Sequence, residues 1–184
     1  VNTLSYGLLS LLSHTADSGY DLMLKIQPFW PAKHSQIYPL LAQLESGGYV
    51  RHTLVVQTDK PDKKVYSITD KGLNALRNWL TLPTDEPVTR DELVLKVFCM
   101  EQGDPADIRR MLEMRLAYCR DQLQWLQTKM DAYTKLNPSP SFGILLLMEK
   151  GQFAIKADLQ WAEWALGRLD EREAAQGSPR ADDA

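Results

Sequence analysis

Lys33, His34, Ser35, Gln36 and Tyr38 crowd the start of a segment whose apolar residues keep helical spacing. Ile37, Leu40, Leu41 and Leu44 fall at i, i+3, i+4 and i+7, which commits one face to a core and turns the five polar residues, with Gln43, elsewhere. The chemistry these types offer is recognition. Ser and Gln carry donors and acceptors that match base edges in a major groove, and Gln can pair with adenine through two bonds. Lys33 would neutralise phosphate, and so would His34 when protonated. A solvated helix face accounts for the same residues. A second cluster, Lys60, Lys63 and Lys64, suits backbone contacts along a minor groove, although Asp59 and Asp62 weaken its field. A charged edge that blocks sheet-to-sheet pairing is the alternative there.

Little else in the chain could make or break bonds. His14, His34 and His52 lack metal-ligand or triad spacing, and no paired carboxylates, GxGxxG or P-loop is present. The expectation is no enzyme, no catalytic or metal site and no cofactor. Cys99 and Cys119 stand far apart in helical patterns, which reads as two reduced, packed thiols; a redox sensor would need a basic, partly exposed setting. Net charge is -3, yet it is unevenly spread. Through Leu82 there are 8 basic and 6 acidic residues, and the 13 and 18 beyond leave the second half acidic. A mean hydropathy of -0.33, no bilayer-length apolar run and no leader pattern point to a cytoplasmic protein with no membrane partner.

The elements that would position these residues are legible in order. Leucines at 4, 8, 11 and 12 predict a first helix, and Ser18-Gly19-Tyr20-Asp21 opens a second that Pro28 and Pro31 break. The Ile37 helix bears Pro39 in its early turns and stops at Gly47-Gly48. Tyr49 to Gln57 and Lys63 to Ile68 read as strands of a hairpin, followed by a helix with Leu73, Leu76 and Leu80 inward. Beyond a Leu82–Pro87 linker, Thr89 to Glu92 has a capping-box pattern, with Val94, Val97 and Phe98 inward. Asp104-Pro105 opens a long helix whose Leu112, Leu116, Cys119, Leu123 and Leu126 form a heptad seam. A last helix repeats the seam at Ile155, Leu159, Ala162, Leu166 and Leu169. It carries a second apolar face in Phe153, Ala157, Trp161 and Trp164, which requires a second partner, either its own neighbour or another subunit. The fold class is mainly α with a small β-hairpin. Residues 1–82 make a winged helix-turn-helix, 88–173 a helical domain, and 174–184 a polar, disordered tail.

The run from Phe29 to Val50, Phe-Trp-Pro-Ala-Lys-His-Ser-Gln-Ile-Tyr-Pro-Leu-Leu-Ala-Gln-Leu-Glu-Ser-Gly-Gly-Tyr-Val, resembles the recognition-helix signature of the PadR family of bacterial transcription regulators. The stretches opening at Leu4, Ser18, Lys64 and Asp91 match the family in order, over nearly the whole chain. The resemblance implies a homodimer joined through its C-terminal helices, with Leu112, Leu116, Leu123, Leu126, Leu159 and Leu166 at the joint. It also implies a pseudo-palindromic operator in double-stranded DNA, read by Lys33, His34, Ser35, Gln36 and Tyr38 with wing contacts from the lysines, and commonly repression. The longer subclass, which this chain is similar to, implies release by a small aromatic acid bound between the two parts. Tyr6, Arg90, Lys96, Phe142, Trp161 and Trp164 are the residue types such a phenolic acid would need. A winged-helix adaptor that binds a protein rather than DNA is the alternative, and the overall negative charge fits it.

Overall fold

The computed structural model describes residues 1–56 and 62–177, in two compact units that meet in sequence between Pro87 and Val88. The first unit begins with α1 (Thr3–Leu12), capped by the Asn2 side chain, which accepts from the Ser5 amide at 2.9 Å. β1 (Asp17–Ser18) leads into α2 (Gly19–Ile26), where the Ser18 hydroxyl accepts from the Asp21 amide. α3 (His34–Ser46) follows, then β2 (Val50–Val55), β3 (Lys63–Ile68) and α4 (Asp70–Trp79). α3 continues through Pro39. It ends in a left-handed Gly48 (φ 72°), with the Tyr49 amide donating to Leu44 and the Gly48 amide to Glu45. That pair of bonds is the Schellman closure, and only glycine enters it without strain.

Leu8, Leu9, Leu22, Ile37, Leu41 and Leu44 are fully buried, so α1, α2 and α3 converge on one core, with Val50 and Tyr66 bringing in the sheet. Each such side chain contributes about 1.5–3 kcal/mol by leaving water. The sheet has three strands rather than the expected two. β1 pairs antiparallel with β3, Asp17 opposite Tyr66, on the side away from β2. Gly72 lets α4 approach the strand root closely, since a Cβ there would sit 2.2 Å from the Tyr49 carbonyl.

The second unit holds α5 (Glu92–Phe98), a 3₁₀ turn (Met100–Gln102), α6 (Pro105–Leu136) and α7 (Phe142–Gly177). Asp104 caps α6 with Pro105 in its first turn, as expected. α6 and α7 form an antiparallel hairpin: Arg109 reaches Asp170 near one end, and Gln127 reaches Gln152 near the other. Leu112, Cys119, Ala162 and Leu169 are buried in the seam between them.

Four expectations change. Asp91, not Thr89, caps α5, accepting from the Leu93 amide at 2.9 Å. Leu80, Val94 and Phe98 face outward, Phe98 at 85 % exposure, so α5 has no core of its own side to fill. Residues 174–177 belong to α7 rather than to a tail, and 178–184 lie outside the described residues. The heptad leucines are engaged within the chain: Leu112 is buried, and Leu116, Leu123, Leu126, Leu159 and Leu166 are half-buried along the α6–α7 seam.

Candidate nucleic-acid interface

The N-terminal turn of α3 carries the polar residues, and the buried Ile37, Leu40, Leu41 and Leu44 fix which way they point. Lys33, His34, Ser35, Gln36 and Tyr38 are all exposed. Lys33 is the cap residue, but an ammonium has no lone pair to offer the helix. Half of a capping box forms instead: the Gln36 Oε1 accepts from the Lys33 amide at 2.9 Å. Two-bond pairing with adenine uses both ends of the amide; here the oxygen spends one lone pair on the helix end, and its second lone pair and Nε2 remain. Ser35, next along the edge, carries a hydroxyl that can both donate and accept.

His34 lies against the Tyr38 ring one turn on, centroids 4.4 Å apart. Tyr38 in turn covers Gly19 at the start of α2, where a Cβ would come within 3.0 Å of its ring. The next residue, Tyr20, is 53 % exposed. Both tyrosines are exposed, one on α2 and one on α3. Sequence reasoning passed over Tyr20; the signal was its place directly after the Ser18 cap, where the first turn of α2 must leave a side chain in solvent.

The wing lysines separate. Lys63 turns toward α2 and donates to the Asp21 carboxylate at 2.8 Å, while the Ser18 hydroxyl donates to the same oxygen. The Lys63 and Ser18 bonds hold the Asp21 carboxyl below its ordinary range. Lys64, one residue along the strand, is exposed on the other face, opposite Leu54. Lys60 lies outside the described residues. At the far end of α3, Glu45 pairs with His52 of β2, tying the helix to the wing.

The residues proposed for an aromatic acid are divided between the two units. Tyr6 stacks flat on Trp79 in the first unit, at 4.7 Å. In the second unit Arg90 is exposed, Lys96 pairs with Glu92 at 2.8 Å, and Phe142 is 74 % exposed at the start of α7. Phe142 is roughly 28 Å along α7 from Trp161, so one small ligand cannot touch both within this unit. Trp161 and Trp164 do line a common cavity. Cys119 is buried, and that burial pushes its thiol up, away from the reactive thiolate; Cys99 is exposed.

A three-helix core, a β-wing and an outward polar helix edge define the class of winged-helix regulators. Residues 8–78 match the family described as transcriptional regulator PadR-like, and 89–170 match the virulence activator alpha C-terminal family. The negative transcriptional regulator PadR of Bacillus subtilis is 32 % identical, over 92 % of this chain and 99 % of its own. The chain belongs to the PadR-like family of transcriptional regulators, which makes it a regulator rather than an enzyme. The structure of B. subtilis PadR with operator DNA superposes with a TM-score of 0.84 at 30 % identity, covering 91 % of this chain and 99 % of that one. The same protein with p-coumaric acid gives 0.77 at 29 % identity, covering 91 % and 95 %. No helix among the described residues is long and apolar enough to cross a membrane.

Proposed function

We propose that this chain is a homodimeric repressor that binds a palindromic operator through α3 and the wing, and that a small aromatic acid lowers its affinity. The outward edge of α3 carries the proposal: five exposed polar residues held by a buried stripe, with Tyr20 exposed at the start of α2. Ser35 and the Gln36 Nε2 would read bases. Tyr20 and Tyr38 would reach backbone or base edges, and Lys33 and Lys64 would neutralise phosphates. The crystal structure of a 30 % identical relative in complex with operator DNA supports the DNA-binding role.

Dimerisation draws support from apolar surface that one chain leaves bare. Met114, Tyr118 and Trp125 recur along one face of α6, and Phe153 and Trp164 along α7, all more than half exposed. Bare patches of that kind mark subunit contacts. Ligand response draws support from the relative crystallised with p-coumaric acid. An acid that prefers the arrangement unable to bind DNA shifts the population by no more than its differential affinity. The test adds p-coumaric acid to the full chain bound to a duplex it has selected from a random pool. Release at saturating acid, with the dimer intact, supports the sensing role. Unchanged affinity removes it and leaves the DNA-binding role standing.

A further inference from the structure

We infer that Asp21 sets the affinity of the chain for duplexes of any sequence, by keeping Lys63 from the phosphates. The inference rests on the DNA-binding reading above and adds to it a residue that acts against binding. Contacts join the two surfaces which that reading assigns to DNA. On the edge of α3 the His34 ring lies 4.4 Å from that of Tyr38. Tyr38 packs over Gly19, the first residue of α2. Two residues on, Asp21 accepts from the Lys63 ammonium at 2.8 Å, at the hairpin end of β3. A duplex that touches both α3 and the wing passes this row.

The pair does little for the fold. Both side chains are more than a third exposed, and exposed ion pairs are worth little. Backbone pairing of β1 with β3, Ser18 opposite Val65, already ties the wing to the start of α2. A carboxylate also suits the positive end of a helix, but that role needs no ammonium beside it. What the pair changes is the charge shown to a polyanion. Ser18 is buried, and its hydroxyl donates to the same Asp21 oxygen at 2.8 Å, which anchors the carboxylate where it stands. A phosphate drawn to Lys63 meets it there.

No other carboxylate is placed to take over from Asp21. Lys25 and the Thr15 hydroxyl already hold Asp17, at 2.7 and 3.0 Å. Asp62, the residue before Lys63, is exposed and is offset by exposed Lys64, the residue after. Removing the charge of Asp21 therefore leaves one cation in excess, and that cation is Lys63. One added phosphate contact steepens the log–log salt dependence by about 0.9. Between about 1 M and about 0.1 M salt, that slope amounts to roughly eightfold in affinity. Phosphate contacts carry no sequence information, so every duplex gains alike.

Binding titrations across a range of salt, with the full chain and with its variants, test this on the selected duplex and its scrambled counterpart. Near about 0.1 M salt, Asp21→Asn should bind both roughly eightfold more tightly, with a slope steeper by about 0.9 and an unchanged ratio between them. Asn keeps an acceptor for Ser18, so the variant should melt close to the wild type near neutral pH. Asp21→Ala should steepen the slope equally, because the gain comes from Lys63 and not from a new amide. In a Lys63→Ala background, Asp21→Asn should leave the slope unchanged. Equal steepening in both backgrounds, the result expected of a carboxylate that merely repels the duplex, overturns the inference. So does an unchanged slope in Asp21→Asn or Asp21→Ala. Failure of wild type and variants alike to bind either duplex removes the DNA-binding reading and the inference together; binding without the slope change removes the inference alone.

Discussion

Lys63 and Lys64 adjoin in sequence and face opposite sides of β3, and their energetic roles divide accordingly. Lys63 spends its charge on Asp21, whereas Lys64 is exposed on the opposite face. Lys64→Ala should lower affinity for every duplex and reduce the log–log salt slope by about 0.9, the contribution of one phosphate contact. Lys63→Ala should change that slope much less. Binding titrations at several salt concentrations separate the two. Asp21 gives a second prediction. Its folded carboxyl titrates below its unfolded value. The stabilisation is therefore present above the ordinary aspartate range and lost as pH falls through the lowered value. Both partners are more than a third exposed, so screening limits the effect to about 0.5 kcal/mol. Thermal melts from about pH 6 to about pH 3 should show a smaller loss in Asp21→Asn than in the wild type. The alternation of a strand was visible in the sequence. Which lysine meets Asp21 was not, because it depends on β3 lying between β1 and β2.

At the scale of elements, local chemistry was the readable part. Ser18, Asp104-Pro105 and Gly47-Gly48 mark ends that the fold uses as written, because caps act within a few residues of themselves. β1 is two residues long, too short for any period, and only its pairing with β3 defines it. Asp91 displaced Thr89 as the cap of α5, since it also meets Arg115. The outward Val94 and Phe98 were misread because an apolar spacing reports that a face is to be covered and not by which chain. The same ambiguity hid the heptad leucines, which the α6–α7 hairpin uses itself. Leu112→Ala should therefore act inside the chain. Removing that buried side chain should cost about 2–5 kcal/mol, read as an earlier urea midpoint for the second unit. The first unit's midpoint should stay in place.

Over the whole molecule, charge and surface divide the work. The first unit carries the polar edge of α3 and no net charge; the second carries the acidic excess and the bare apolar faces of α6 and α7. Non-specific attraction to a polyanion is accordingly weak, and in the proposed dimer recognition would come from base contacts made twice. Two α3 edges one duplex turn apart, about 34–36 Å, would require a palindromic site. The most direct test is equilibrium binding of the full chain to a duplex selected from a random pool and to its scrambled counterpart, across a range of salt. Two chains should bind a palindrome at least roughly 10³-fold more tightly than the scrambled duplex, with affinity falling as salt rises. Equal affinity for the two duplexes, or no binding at low salt, would contradict the account.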